Sequence, residues 1–351
     1  MKCINNNSKT LFGNNLDKNS KNLLYNKKKM MVRNLLTAVV SAICLSGCGG
    51  TDYDMAYHID YDVSSFNVVT RQETRTASPF ASGLCVTVDN IMDDESVDMS
   101  QAEAAALFAL DKNEVLYAKN IHERLYPASL TKVMTAIVAL ENGQLSQTLT
   151  ATNAVNVTES GAVLCGLKSG DTMTLDQALR ILLVYSANDV ALLIAENIGG
   201  SVEHFIEMMN EKAHELGATN TNFTNPNGLP DLNHFTTAYD LYLMFNEAIK
   251  YEAFNEIIHM TSYQTVFYDA SGKAKEFNKQ NTNMFLRGNY QAPANVTIIG
   301  GKTGTTNAAG NCLMLLSRDE NGSPYISIIL RANGAEALYT QMTDLLDEIH
   351  K

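Results

Sequence analysis

Ser129 and Lys132 stand three residues apart in the stretch YPASLTKVMTA, Tyr126 to Ala136. On a helix that spacing puts two side chains on one face, within hydrogen-bonding reach. A serine hydroxyl becomes a good nucleophile when a base takes its proton, and an amine can be that base only when it is neutral. A lysine near a helix N-terminus, partly desolvated and close to another cation, has its pKa pushed down. Pro127 suits the start of a helix, which places Ser129 in the first turn. The pair thus has the parts of a Ser–Lys nucleophile, although S-x-x-K alone also describes a solvated surface pair. Two further groups carry similar potential. YSANDV supplies Ser186, Ala187 and Asn188, an S-x-N group that interrupts a helical stretch. IIGGKTGTT supplies Lys302, Thr303 and Gly304 near the end of a strand. Each has a plain alternative: Ser and Asn are good helix caps, and Lys302 to Gly304 also reads as an exposed strand end.

The elements around these groups follow from hydropathy and punctuation. AALFAL and EVLYA, separated by DKN, read as two strands of a hairpin. A helix is expected over 128–141, with Gly143 stopping it. A second helical region begins at Thr174, where Gln177 completes a capping-box pattern, and closes at Gly199-Gly200. Ser201 caps a helix running to about Leu216, with Gly217 just past its end. TTAYDLYLMFNEAIKY is a further helix, and NPNGL, Asn225 to Leu229, reads as a structural turn. Asp171 and Asp176 read as solvated charges at a helix start. NVTIIGGKTGT, NCLMLLSRD and PYISIILRA read as three strands, followed by a helix over 335–349. Strands, then helices, then strands and a helix imply an α+β domain with an antiparallel sheet packed on helices. The sequence shows no internal repeat and no second domain.

S-x-x-K, S-x-N and K-T-G, in this order, resemble the motif set of penicillin-binding proteins and serine β-lactamases. The longer stretches ERLYPASLTKVMTAIVALE, LLVYSANDVALLIAENIGGS, FIEMMNEKAHELGATNTNFTNPNGL and GGKTGTTNAAGNCLMLL resemble the D-alanyl-D-alanine carboxypeptidases, the low-molecular-mass penicillin-binding proteins, over roughly 103–351. The resemblance implies the β-lactamase/DD-peptidase fold and a Ser129 acyl-enzyme formed on peptidoglycan stem peptides ending in D-Ala-D-Ala, with β-lactams as covalent ligands. It implies that Lys132 is the base, that Ser186 relays a proton to the departing amine, and that Asn188 holds the substrate backbone or Lys132. Lys302 and Thr303 would hold the terminal carboxylate, Gly304 would allow close approach, and the Ser129 and Thr305 N–H groups would form the oxyanion hole. The family often has His after K-T-G, where this chain has Thr305. No E-x-x-L-N-type element lies between Asn188 and Lys302, and the middle motif is S-A-N, which argues against a class A β-lactamase. A DD-endopeptidase is the near neighbour that sequence does not separate from a carboxypeptidase. A non-enzymatic sensor is the reading from another class.

The N-terminus reads as an export signal. Lys27-Lys28-Lys29 and Arg33 precede an apolar run from Leu35 to Leu45, and Leu45-Ser46-Gly47-Cys48 resembles a bacterial lipobox. Residues 1–48 are therefore expected to be a lipoprotein-type signal with Cys48 lipidated, 49–102 a linker and lead-in, and 103–351 the catalytic domain. A lipid on Cys48 would attach the exported protein to the membrane at the cell surface, where many family members use a C-terminal anchor helix. Removing residues 1–47 takes eight of 26 Lys/Arg and one of 38 Asp/Glu, leaving 18 against 37 and a formal net charge of −19. So acidic a chain is a poor nucleic-acid binder. Cys85, Cys165 and Cys312 fit no metal or disulfide pattern and read as buried free thiols. The seven histidines are scattered, so neither a metal nor a cofactor is expected.

Overall fold

A computed structural model describes residues 83–91 and 97–350. The expected export signal, Cys48 and most of the expected linker lie outside the described residues. Among the described residues, nine strands form two antiparallel sheets. β1 (Ala104–Ala109), β2 (Glu114–Lys119), β7 (Thr297–Thr306), β8 (Gly310–Arg318) and β9 (Pro324–Ala332) form a five-stranded sheet in the order β2-β1-β9-β8-β7. β3 (Thr148–Thr150), β4 (Thr172–Thr174), β5 (Ser262–Tyr268) and β6 (Ala274–Gln280) form a four-stranded sheet in that order. The fold is α+β, as expected.

The central strands of the larger sheet are apolar without alternation because helices cover both faces. All six residues of β1 are buried. Ala104, Ala106 and Phe108 enter one core, while Ala105, Leu107 and Ala109 enter the other. On the first face lie α1 (Lys132–Asn142), α3 (Asn188–Gly199) and α5 (Ala238–Ala248). α1 packs on α3 and α5, and α5 packs on β1 and β9. On the second face α7 (Ala335–Asp347) crosses β8 and β9. α3 sits centrally, so Val190, Ala191, Leu193, Ile194 and Ala195 are all buried.

Local signals place these helices. The Thr174–Gln177 capping box is formed in both directions and opens α2 (Leu175–Arg180). Ser201 accepts from His204 N–H and caps α4 (Val202–Glu215), and Gly217 follows at φ +82°. The expected helix over 128–141 is two pieces: a 3₁₀ turn, Ala128–Thr131, and then α1. The expected 236–251 helix is α5, and a short separate helix, α6 (Glu252–Ile258), follows it.

Three readings need correction. Asp171 is not solvated: it is 2% exposed, and its Oδ2 accepts from the Lys168 N–H and from Lys275 Nζ at 2.6 Å. Asp176 does lie in the first turn of α2, where it pairs with Arg180. The lead-in is not wholly loose: Cys85 is fully buried, its N–H donates to the Tyr242 hydroxyl, and Ile91 bridges to Ala118. The smaller sheet, in which β5 and β6 pair along their full length, was not anticipated. Cys85 and Cys312 are buried free thiols as expected, while Cys165 is half-buried.

Candidate active site

The three motif groups converge where the edge of the larger sheet meets the helices. Ser129 sits on the 3₁₀ turn, one residue before which Ala128 takes φ +48°. Lys132 opens α1 and is fully buried. The helical stretch after α2 widens into one π-turn, Ile181–Tyr185, and ends at Ser186 with φ +70° and ψ +30°. Single π-turns and left-handed non-glycine residues cluster at functional sites. Asn188 begins α3. Lys302, Thr303, Gly304 and Thr305 lie on β7, an edge strand.

Lys132 Nζ has three neighbours: Ser129 Oγ at 2.8 Å, Asn188 Oδ1 at 2.8 Å and the Asn227 carbonyl at 2.6 Å. The Asn188 amide cannot turn round, because its Nδ2 donates to the Val163 carbonyl at 3.1 Å. Two neighbours of the amine are therefore fixed acceptors. A neutral amine has two hydrogens, which those acceptors take, and its one lone pair is left facing the Ser129 hydroxyl. Burial pushes the Lys132 pKa well below its usual value, nearby Lys302 pushes it further, and Asp189 opposes both. The site thus favours the neutral, proton-accepting form.

Lys302 is also fully buried. Its Nζ donates to Ser186 Oγ and to the Thr303 carbonyl, both at 2.8 Å, and burial lowers its pKa to about 7. Thr303 Oγ1 lies 2.6 Å from Thr282 Oγ1. The Thr305 hydroxyl donates to Asn311 Oδ1 at 3.2 Å. Gly304 serves an approach the sequence did not suggest. A Cβ there would sit 2.9 Å from the Pro127 carbonyl and 3.0 Å from the Ser129 nitrogen. The glycine lets the strand close against the nucleophile turn itself.

Two cavities open on Ser129. One, of about 420 Å³, is lined by Glu159, Val163, Asn188, Leu229 and Thr305. The other, of about 200 Å³, is lined by Ser186, Thr303, Gly304 and Tyr339. Among the described residues no group of His, Cys, Asp and Glu is placed to hold a metal ion.

Several contributors escaped the sequence reading. NPNGL is a turn, yet it supplies the Asn227 carbonyl to Lys132, and Gly228 packs directly on the nucleophile turn at φ +84°. Buried His234 accepts the Thr224 N–H at Nδ1, so its ring proton is on Nε2, 2.9 Å from Thr131 Oγ1. Thr131 in turn donates to the Ala128 carbonyl at 2.8 Å. Burial lowers the His234 pKa to about 4, which keeps the ring neutral in that role. The Asp189 carboxylate accepts the N–H groups of Cys165, Gly166 and Leu167, fixing the loop that carries Val163. A glycine that must be left-handed and an acid next to Asn188 were the available signals. His234 offered none.

An edge strand and a helix start that present a Ser–Lys pair, with a second serine held by a second lysine, define a serine acyl-transfer domain. Comparison with known proteins narrows this class. The family model for D-alanyl-D-alanine carboxypeptidase matches residues 92–334, and the chain belongs to that family. It is 34% identical over 252 residues to the D-alanyl-D-alanine carboxypeptidase DacF of Bacillus subtilis, covering 70% of this chain and 61% of that one. It is 31% identical over 248 residues to a D-alanyl-D-alanine endopeptidase of Pseudomonas aeruginosa, covering 70% and 76%. The crystal structure of the Streptomyces K15 DD-transpeptidase superposes with a TM-score of 0.65 at 26% identity, covering 71% of this chain and 96% of that one. The chain spans about three fifths of the length of the carboxypeptidase relatives it matches.

Proposed function

We propose that this protein is a serine-type DD-carboxypeptidase that removes the terminal D-alanine from peptidoglycan stem peptides ending in D-Ala-D-Ala. One observation carries the reading: Lys132 Nζ lies 2.8 Å from Ser129 Oγ, and its two other contacts are the fixed acceptors Asn188 Oδ1 and the Asn227 carbonyl. Lys132 accepts the Ser129 proton as Oγ attacks the carbonyl between the two D-alanines. The Ser129 and Thr305 N–H groups receive the developing oxyanion, a contribution of about 3–4 kcal/mol per donor in comparable sites. Ser186 passes a proton to the departing amine as the C–N bond breaks and takes one in turn from Lys302, which donates to it. Lys302 and Thr303 bind the terminal carboxylate. Water then hydrolyses the ester and frees Ser129. A β-lactam acylates the same oxygen.

The domain limits, 1–48 as signal, 49–102 as linker and lead-in and 103–351 as catalytic domain, belong to this proposal. So do export, lipid attachment at Cys48 and action outside the cytoplasm. They are supported by the basic and apolar pattern before Cys48. DD-endopeptidase activity on crosslinks is the second reading, supported by the likeness to a relative of that name.

The test is D-alanine release from diacetyl-L-Lys-D-Ala-D-Ala by residues 49–351 and by Ser129→Ala, with fluorescent penicillin labelling alongside. Both signals should vanish in the variant. Labelling without release would favour the endopeptidase, and neither signal in folded native protein would end the proposal.

A further inference from the structure

β8 and β9 run out of step beside the cleft. Asn311 pairs with Ala332, but Leu313 pairs with Ile329, so β9 carries one extra residue opposite Cys312. Arg331 absorbs it at φ +55°, and its N–H reaches only the Cys312 sulfur, at 3.5 Å. A bulge of this kind re-aims a side chain, and a long non-glycine residue is held left-handed only at a cost in strain. Here the side chain lines a cavity of about 280 Å³ together with Arg124, Leu125, Tyr126, Leu232 and Phe235.

Arg124 lines the same cavity. Its guanidinium lies 4.8 Å from the Phe235 ring centre, and Nη2 donates to Asn220 Oδ1 at 3.0 Å. Among the described residues, the one acid paired with either arginine is Glu103, 4.0 Å from Arg331 and itself about half exposed, a contact worth little. Two guanidinium groups in one cavity run against the charge of a chain with 38 acidic and 26 basic residues.

Three lining residues are close neighbours of cleft residues. Tyr126 precedes Pro127, whose carbonyl backs Gly304. Leu232 follows Leu229 and Pro230 of the cleft wall. Arg331 packs on Gly310, which pairs with Thr306 of the cleft rim.

We propose that Arg124 and Arg331 form a subsite for a carboxylate that the stem peptide carries upstream of its D-Ala-D-Ala end. The proposal rests on the DD-peptidase reading above. Arginine suits this task because its planar fork matches a carboxylate, whereas an amide in the same place offers one acceptor and no charge. Two positions can supply the group: the α-carboxylate of a γ-linked glutamyl residue, or the side-chain carboxylate of a diamino diacid as third residue.

The test compares kcat/KM for four matched peptides ending in D-Ala-D-Ala, with each of those two carboxylates free or amidated. Native protein should prefer the acid form at one of the two positions by about tenfold at low salt, with the preference shrinking as salt screens it. Arg124→Gln/Arg331→Gln should abolish that preference while leaving turnover of diacetyl-L-Lys-D-Ala-D-Ala and penicillin acylation unchanged, which also shows that the variant is folded. Equal turnover of acid and amide peptides by the native protein, or a preference that survives in the double variant, overturns the subsite alone. Loss of all turnover and labelling in the native protein overturns the subsite and the DD-peptidase reading together.

Discussion

Gly228→Ala tests whether the turn after Asn227 is part of the catalytic apparatus. Gly228 holds φ +84°, and a Cβ built there would lie 1.8 Å from the Ala128 carbonyl oxygen and 2.9 Å from Thr131 Oγ1. Real Cβ atoms keep at least about 3.0 Å from such neighbours, so something must move by about 1.2 Å (3.0 − 1.8). The oxygen in question is backbone, one residue before Ser129, and it already accepts the Thr131 hydroxyl. Neighbouring Asn227 would carry its carbonyl away from Lys132. Misplacement of reacting groups by about 1 Å costs on the order of 10²-fold in rate. Strain from the positive φ alone costs roughly 1–2 kcal/mol, which is a matter of stability and not of rate.

Gly322→Ala separates the two effects. Gly322 has φ +86°, and a Cβ there meets nothing within 4 Å. It should lower the melting temperature by a few degrees and leave acylation by fluorescent penicillin at the native rate. Gly228→Ala should melt cooperatively at a lower temperature and acylate about 10²-fold more slowly. If it acylates within threefold of native, the turn is scaffold only and the packing argument is wrong.

Lys132→Met should slow acylation by about 10²–10⁴-fold, the scale of general-base catalysis, in protein that still melts cooperatively. A variant within tenfold of native in acylation would remove Lys132 from the base role. For Lys302, held at about 7 by burial, the unfolded chain binds more protons than the folded one from about pH 7 up to the usual lysine value. Stability should therefore rise with pH across that window in native protein and lose this slope in Lys302→Met, as denaturant melts from pH 6 to 10 will show; parallel curves would refute it. Asp189→Asn removes a charge that opposes Lys132 deprotonation and an acceptor of three loop N–H groups. The acid limb of the pH–rate curve should shift to lower pH while amides 165–167 exchange faster, and an unmoved limb would show that the Asp189 charge is not felt at Lys132.

The sequence disclosed those parts of the site in which chemistry and local geometry coincide. Ser129 and Lys132 are neighbours on one turn, and Thr174, Ser201 and Gly217 punctuate helices through their own backbone and side-chain bonds, so short windows revealed them. β1 was legible because burial on both faces leaves an unbroken apolar run. What stayed hidden depends on partners far along the chain. His234 reaches Thr131 across 103 residues, and nothing near His234 marks it out. Asp171 looked like a surface charge until Lys275, 104 residues away, was seen to cover it. β5 and β6 alternate weakly, with only Phe267 and Phe277 fully buried, so their half-exposed pattern gave little hydropathy signal. Arg331 is hidden for another reason: its placement follows from a register slip between two strands that each read as regular.

The two buried lysines are electrostatically coupled, and this gives the site a property neither has alone. Lys302 helps hold Lys132 neutral, and Lys302 is itself pushed down by burial. In the proposed pose the substrate's terminal carboxylate arrives beside Lys302. Its negative charge offsets the repulsion that Lys302 exerts on Lys132, so the amine facing Ser129 becomes a stronger base once substrate is bound. Burial and Lys302 thus both favour the deprotonated base in the free protein, and bound substrate gives that base more pull on the serine proton. This fixes a sign. The acid limb of kcat, which reports the bound state, should lie at higher pH than the acid limb of kcat/KM, which reports the free protein. With a substrate ending in an amide the two limbs should draw together, because no carboxylate reaches Lys302. Coincident limbs for the carboxylate substrate would mean that the two lysines titrate independently of the ligand, and the coupling would then have no part in catalysis.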